Sequence, residues 1–269
     1  MKSFFQSVFL SMFIISSAYT ADISSYLYGD IKDSKSVKNS LTNNGFTVLG
    51  EYDAMSDAQY KIIVYTSPEL TAGATKKDRA FAAVQKVMIN QKDKTLVFTN
   101  PEYFLRAFMQ DDYNSKIAKN VTQKISSLFG PLSQSKDTLE DDDIGGYHFM
   151  MSQPYYEDME EVAEGSDLLD KLEKNAGDKI VFKLKVGTST LVGLSMQNKV
   201  GEAYYLKEIA GQKHAVFLPY MLLIEAQKAK VLHPKYYLAI SYPNLSMGEF
   251  MGISGTPDDI LEYITKALQ

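Results

Sequence analysis

The chain has 269 residues, 45% hydrophobic and 23% charged, with a net charge of −5 and neither Cys nor Trp. Such a composition excludes disordered, collagen-like and low-complexity classes, and the length suits one or two domains with a sizeable core. The missing cysteines exclude disulfides, thiolate nucleophiles, iron–sulfur clusters and cysteine zinc sites. The acidic balance argues against a nucleic-acid partner, which requires a basic face to neutralise phosphates.

Residues 1–21 read as a signal peptide: Lys2, an apolar run from Phe4 to Ile15, then small residues up to Ala21. That run is too short for a span of roughly 20 residues, so no integral membrane span is expected and the chain is expected to be periplasmic or secreted. Residues 22–46 read as strand, helix and turn. Strand-like runs follow at Phe46–Tyr52, Lys61–Tyr65, Ala80–Ile89 and Lys94–Thr99. Asn100-Pro101-Glu102 carries a cap, a proline suited to the first helical position and a dipole-complementing acid, opening a helix with Leu105, Phe108 and Met109 on one face. A second helix carries Ile117, Val121, Ile125 and Leu128.

Residues 131–146 are rich in Ser, Gly and acids and read as a linker. Beyond them Tyr147–Ser152 reads as strand and Asp158–Asn175 as largely helix. Ile180–Val186, Thr190–Met196, Tyr204–Ile209, His214–Glu225 and a segment within Lys230–Tyr242 read as strands. Ser246–Met251 and Thr256–Leu268 read as helices, the last capped by Thr256.

The two halves look alike. Arg79–Ile89 aligns with His214–Ile224, and Thr95–Gln110 with Tyr237–Gly252, the second pairing Leu96 with Leu238, Pro101 with Pro243, Phe108 with Phe250 and Met109 with Met251. Joining both alignments places seven extra residues in the second hairpin, a cheap insertion. The expected fold is α+β: two tandem β-α-β(4)-α units, 22–130 and 147–269, with mostly antiparallel sheets related by a pseudo-two-fold axis.

Asn100-Pro101-Glu102-Tyr103 in the first half, and Leu218-Pro219 with the strand end Ile224-Glu225 in the second, resemble the family known as domain of unknown function 302. The first half lacks the family's Leu-Pro, and the second has Tyr242-Pro243-Asn244-Leu245 at the expected helix start. The resemblance implies a TATA-binding-protein-like unit that self-associates, with the tandem copy standing in for a homodimer partner. It implies no known reaction.

Candidate ligand-binding residues are Arg79, Arg106, Tyr103 and His214: Arg106 as a bidentate clamp for a carboxylate or phosphate, with Tyr103 beside it, and Arg79 and His214 as counterparts in the two halves. His148 and Met150, expected on one face of a strand, are weak candidates for Cu(I); His233 is a further loop candidate. No nucleophile elbow, zinc-protease, Walker or dinucleotide motif occurs. The expectation is therefore a non-catalytic small-ligand-binding or protein-interaction module with no cofactor, as monomer or homodimer. The alternatives are an enzyme with an Arg/Tyr/carboxylate site and a Met/His copper-handling protein.

Overall fold

The computed structural model describes residues 21–150 and 153–269; the expected signal peptide, apart from Ala21, lies outside them. In chain order the first half comprises β1 (Asp22–Ser24), β2 (Tyr26–Asp30), α1 (Ser34–Thr42), β3 (Thr47–Asp53), β4 (Tyr60–Thr66), α2 (Pro68–Gly73), a 3-10 turn (Ala80–Ala83), β5 (Gln85–Asn90), β6 (Thr95–Thr99), α3 (Pro101–Met109) and α4 (Ser115–Phe129). Then come β7 (Ser133–Gln134), β8 (Thr138–Glu140) and α5 (Asp141–Gly145). The second half comprises β9 (Glu160–Glu164), α6 (Leu168–Ala176), β10 (Ile180–Val186), β11 (Ser189–Leu194), α7 (Glu202–Glu208), a 3-10 turn (Gln212–Phe217), β12 (Tyr220–Glu225), β13 (Lys228–Val231), α8 (Pro234–Ser241), α9 (Met247–Gly252) and α10 (Thr256–Ala267).

The fold is α+β with antiparallel sheets. One sheet has the order β3-β4-β5-β6-β2-β7, the other β10-β11-β12-β13-β9. Without β7, the two orders are the same in sequence terms, and the helices and 3-10 turns fall at corresponding places. Within residues 131–146, expected as a linker, β7 pairs with β2 at the edge of the first sheet, β8 pairs with β1 in a separate two-stranded ribbon, and Asp141–Gly145 is helical. Among the described residues no helix is long and apolar enough to cross a membrane.

Several expected strands take other forms. Tyr204–Ile209 lies mostly in α7, whose buried Glu202, Tyr205 and Leu206 follow helical spacing; the β preference of paired tyrosines yields to that pattern. Lys230–Tyr242 divides at Pro234 into β13 and α8. The starts of Ala80–Ile89 and His214–Glu225 are 3-10 turns, since Ala80–Ala83 and His214–Phe217 are buried consecutively rather than alternately. Asp158–Asn175 splits into β9 and α6 around Gly165 (φ +156°), and residues 147–150 are not strand, so His148 and Met150 do not share a strand face. The last helix begins at Thr256 with Gly255 at its cap position.

The alignment of Arg79–Ile89 with His214–Ile224 agrees with the strand order, but that of Thr95–Gln110 with Tyr237–Gly252 does not: Leu96 lies in β6, Leu238 in α8. The equivalent of Pro101 is Pro234. Asn100 Oδ1 accepts from the Glu102 amide at 3.1 Å, and His233 Nδ1 accepts from the Lys235 amide at 3.1 Å, so histidine performs the capping task of asparagine. His233-Pro234-Lys235-Tyr236 thus occupies in the second half the place that Asn100-Pro101-Glu102-Tyr103 occupies in the first. The second hairpin is shortened rather than lengthened: Ala226-Gln227, both at positive φ as a type I′ turn requires, replace Gln91–Lys94.

The halves pack on each other through matching elements. The turn Gln212–Phe217 lies against β5 and β6, and the turn Ala80–Ala83 against β11 and β12. Edge strands β3 and β10, each carrying a bulge, meet closely enough that a Cβ on Gly50 would sit 2.1 Å from the Val181 carbonyl oxygen. One apolar cluster runs through both halves. The opposite edge, β9, is acidic (Glu160-Glu161-Val162-Ala163-Glu164), which discourages pairing with another chain.

Two hydrogen bonds across this interface are reciprocal. Tyr103 Oη donates to the Ile240 carbonyl at 2.8 Å, and Tyr236 Oη donates to the Ala107 carbonyl at 3.3 Å. Each tyrosine stands second after its proline, and each acceptor sixth. Tyr103→Phe and Tyr236→Phe are each expected to cost about 1 kcal/mol, adding in the double variant because the bonds share no atom. Urea denaturation of the four proteins measures this; a null effect of either single change removes that bond from the interface.

Candidate functional site

Arg106 sits on α3, whose Asn100 cap and Pro101 start fix the helix and whose buried Tyr103, Phe104, Ala107 and Phe108 fix its rotation. Its side chain therefore leaves the core and meets α5. Arg106 forms an ion pair with Asp141: Nη2 donates to Oδ2 at 2.7 Å, and Nε stands 2.6 Å from Oδ1. The guanidinium carbon stands 4.5 Å from the centre of the Tyr113 ring. Burial raises the Tyr113 hydroxyl above its ordinary range, against the lowering charge of Arg106. The arginine is held from two sides, and an arginine has five N–H donors in a fixed fork, more than Asp141 uses.

Beside it lies a cavity of about 370 Å³, lined by Arg106, Lys119, Ser115, Thr122, Glu102 and Asp22 among others. That volume falls in the range of small-molecule sites. Both signs of charge face it: Lys119 from α4, Glu102 from α3 and Asp22 from β1. The elements that build it are α3, α4, β1 and β2, with Gln134 of β7 and Asp141 of α5 closing its wall.

Tyr103 does not join Arg106. It is fully buried, with its hydroxyl given to Ile240, and burial raises that hydroxyl well above its ordinary range. Arg79 is also separate: its Nε lies 3.2 Å from Asp112 Oδ2, Lys76 shares the same carboxylate, and its guanidinium lies 5.3 Å from the Tyr156 ring centre. His214 is buried, with Asp137 Oδ2 at 2.9 Å from Nδ1 and the Tyr28 hydroxyl bonded to Nε2. Both ring nitrogens of His214 are therefore partnered, Nδ1 by the Asp137 carboxylate and Nε2 by the Tyr28 hydroxyl. Its ring stacks on Tyr26 at 4.6 Å.

This Asp137–His214–Tyr28 chain has the connectivity of a proton relay, but its terminal hydroxyl is not activated. Burial, then the charges of Asp137 and Asp93, push Tyr28 up to about 12. Burial also pushes Asp137 up, but the hydrogen bond and charge of His214, with Lys213 and Asn244, hold it below the ordinary carboxylate range. The chain ties second-half His214 to first-half Tyr28 and Asp137, as Arg79 of the first half ties to Tyr156 on the second-half side.

His148 lies in the loop before residue 150, and His233 caps α8 with Nε2 at 3.5 Å from Glu160. Burial lowers His233 below its ordinary range, opposed by Glu160.

Two buried ionisable groups escaped the sequence reading. Glu202 on α7 is fully buried and accepts from the Met55 amide (3.0 Å), the Met196 amide (3.0 Å) and the Tyr52 hydroxyl (3.1 Å). Burial raises it above the ordinary carboxylate value, against those hydrogen bonds. Lys86 on β5 gives its Nζ to the carbonyls of Phe217 and Pro219 and to the Tyr237 hydroxyl; burial holds it well below the ordinary lysine value. The only sequence signal for Lys86 is a lone charge inside the apolar run Val84–Ile89. Both groups join the halves. No family model, no curated protein and no solved structure matches this chain.

Proposed function

We propose that the protein is a non-catalytic, exported binding module made of two tandem β-α-β(4)-α units of the domain-of-unknown-function-302 type, TATA-binding-protein-like and related by a pseudo-two-fold axis. Its ligand site is the Arg106 cavity. The duplication is supported by the matching strand orders, by the Asn100–Tyr103 and His233–Tyr236 segments and by the reciprocal tyrosine bonds. The interface between the units is a packed core rather than an open groove, so the ligand lies to one side.

The observation that carries the binding role is Arg106, fixed by Asp141 and Tyr113 at the wall of a 370 Å³ cavity with charged groups of both signs around it. Such a site suits a small zwitterion, its carboxylate on Arg106 and Lys119 and its ammonium near Glu102 and Asp22.

A thermal-shift screen with free amino acids, and with acetate and methylammonium as single-charge controls, tests this. Zwitterions are expected to raise Tm and the controls to do so less. Arg106→Gln is expected to weaken binding about ten- to hundredfold, the loss of one charge-assisted bidentate contact. Stabilisation that survives Arg106→Gln, or turnover of any bound compound, contradicts the proposal.

A further inference from the structure

Six large apolar side chains are exposed among the described residues: Met150, Tyr155, Val200, Tyr204, Met247 and Met251. Three are methionines, although Met88, Met109, Met196 and Met221 are buried in the core. The exposed three lie beside one contact in the sequence. The Phe149 and Phe250 rings lie 4.7 Å apart, which brings the loop around 148–150 against α9. Met150 directly follows one ring and Met251 the other. Met247 and Met251 lie one turn apart on the same face of α9, where neighbouring side chains at this spacing meet. The capping box of Ser246 and Glu249 fixes the start of that helix and occupies the Glu249 carboxylate.

His148 completes the group. Its Nδ1 bonds the Met150 carbonyl oxygen at 2.7 Å, and its ring packs 4.4 Å from that of Tyr155. A backbone carbonyl on Nδ1 is the arrangement that orients an imidazole for metal binding and leaves Nε2 as the ligand atom. A thioether is a poor partner for water but a good soft ligand, and thioethers with imidazole select a soft monovalent d10 cation over the hard divalent ones.

We propose that His148, Met150, Met247 and Met251 form a surface site for Cu(I), with the Phe149–Phe250 contact holding its two halves together. The site is independent of the Arg106 cavity. Met150 and His148 supply ligands from the loop, Met247 and Met251 from α9, and Tyr155 walls one side of the imidazole.

Titration of the full chain with Ag(I), an air-stable probe of the same chemistry, followed by Cu(I) in competition with a chromogenic chelator, tests the proposal. One equivalent is expected to bind, and the methyl NMR signals of Met150, Met247 and Met251 are expected to shift while that of Met221 does not. Met247→Leu and Met251→Leu keep the apolar volume and are each expected to weaken binding at least tenfold, whereas Met221→Leu leaves it unchanged. Absence of saturable binding, or binding indifferent to the α9 leucine variants, overturns it and leaves the cluster an apolar patch.

Discussion

Replacing Glu202 by Leu is expected to destabilise the protein by ~3–5 kcal/mol. The carboxylate accepts two backbone amides and one phenol in a place without solvent, and Leu fills the volume while leaving all three donors unpaired. Each orphaned buried donor costs about 1–3 kcal/mol, and the Met55 amide belongs to a turn that already holds Met55 at φ 61°. Glu202→Gln keeps one acceptor and should cost less. It should also change the pH profile. Burial places the folded carboxyl above its ordinary 4.5. As pH rises through 4.5 the unfolded chain releases this proton first, so the stability from the protonated form is progressively lost until the folded group ionises as well. The stability of Glu202→Gln relative to the native protein should therefore improve with rising pH across that window. Urea denaturation at several pH values measures both effects; a loss below 1 kcal/mol for the leucine variant would mean that the three donors find other acceptors.

Phe217→Ala should cost a similar ~3–5 kcal/mol, the usual range for truncating a fully buried phenylalanine. The ring lies 5.4 Å from that of Tyr237 and 5.5 Å from that of Tyr242, and its turn covers β5 and β6 of the other half. The backbone carbonyl of the same residue accepts from both Lys86 and Tyr237. Because one core serves both halves, the loss should be global. Hydrogen exchange read by mass spectrometry should show peptides from β4 and β5 losing protection together with those from β11 and β12. Loss confined to the second half would show two separate cooperative units.

Much of the architecture was legible because its signals are local. Val37 and Leu41 on α1, the short apolar runs of β4 and β6, and the Asn-Pro start of α3 each act within a few residues. The Pro243 alignment misled because Pro, Phe and Met identities mimic a helix start, whereas the true second start hides behind His233, which caps as well as Asn100 does. Tyr204-Tyr205 looked like strand since tyrosine favours sheets, and only the burial of Glu202 with Tyr205 turns that run into a helix.

The site was less legible, and for a physical reason. Arg106 stood out as one of two arginines, yet its partner Asp141 lay inside an acidic run indistinguishable from a solvated loop. Asp137 and Tyr28 similarly owe their roles to chain reversals that bring β7 beside β2 and the Gln212–Phe217 turn over β6. Tyr103 looked like a neighbour of Arg106 because both lie on α3, but Tyr103 is fully buried with its hydroxyl on the Ile240 carbonyl of the other half, whereas the Arg106 side chain reaches Asp141 and the cavity.

The central proposal is a binding site at Arg106, and the two arginines offer a direct reading of it. The Nε–H region of a 1H–15N spectrum of the full chain contains just two arginine signals, from Arg79 and Arg106. Titration with a zwitterionic amino acid should shift the Arg106 signal in a saturable way and leave that of Arg79, committed to Asp112, in place. A moving Arg79 signal with a still Arg106, or two signals indifferent to every amino acid, would contradict it.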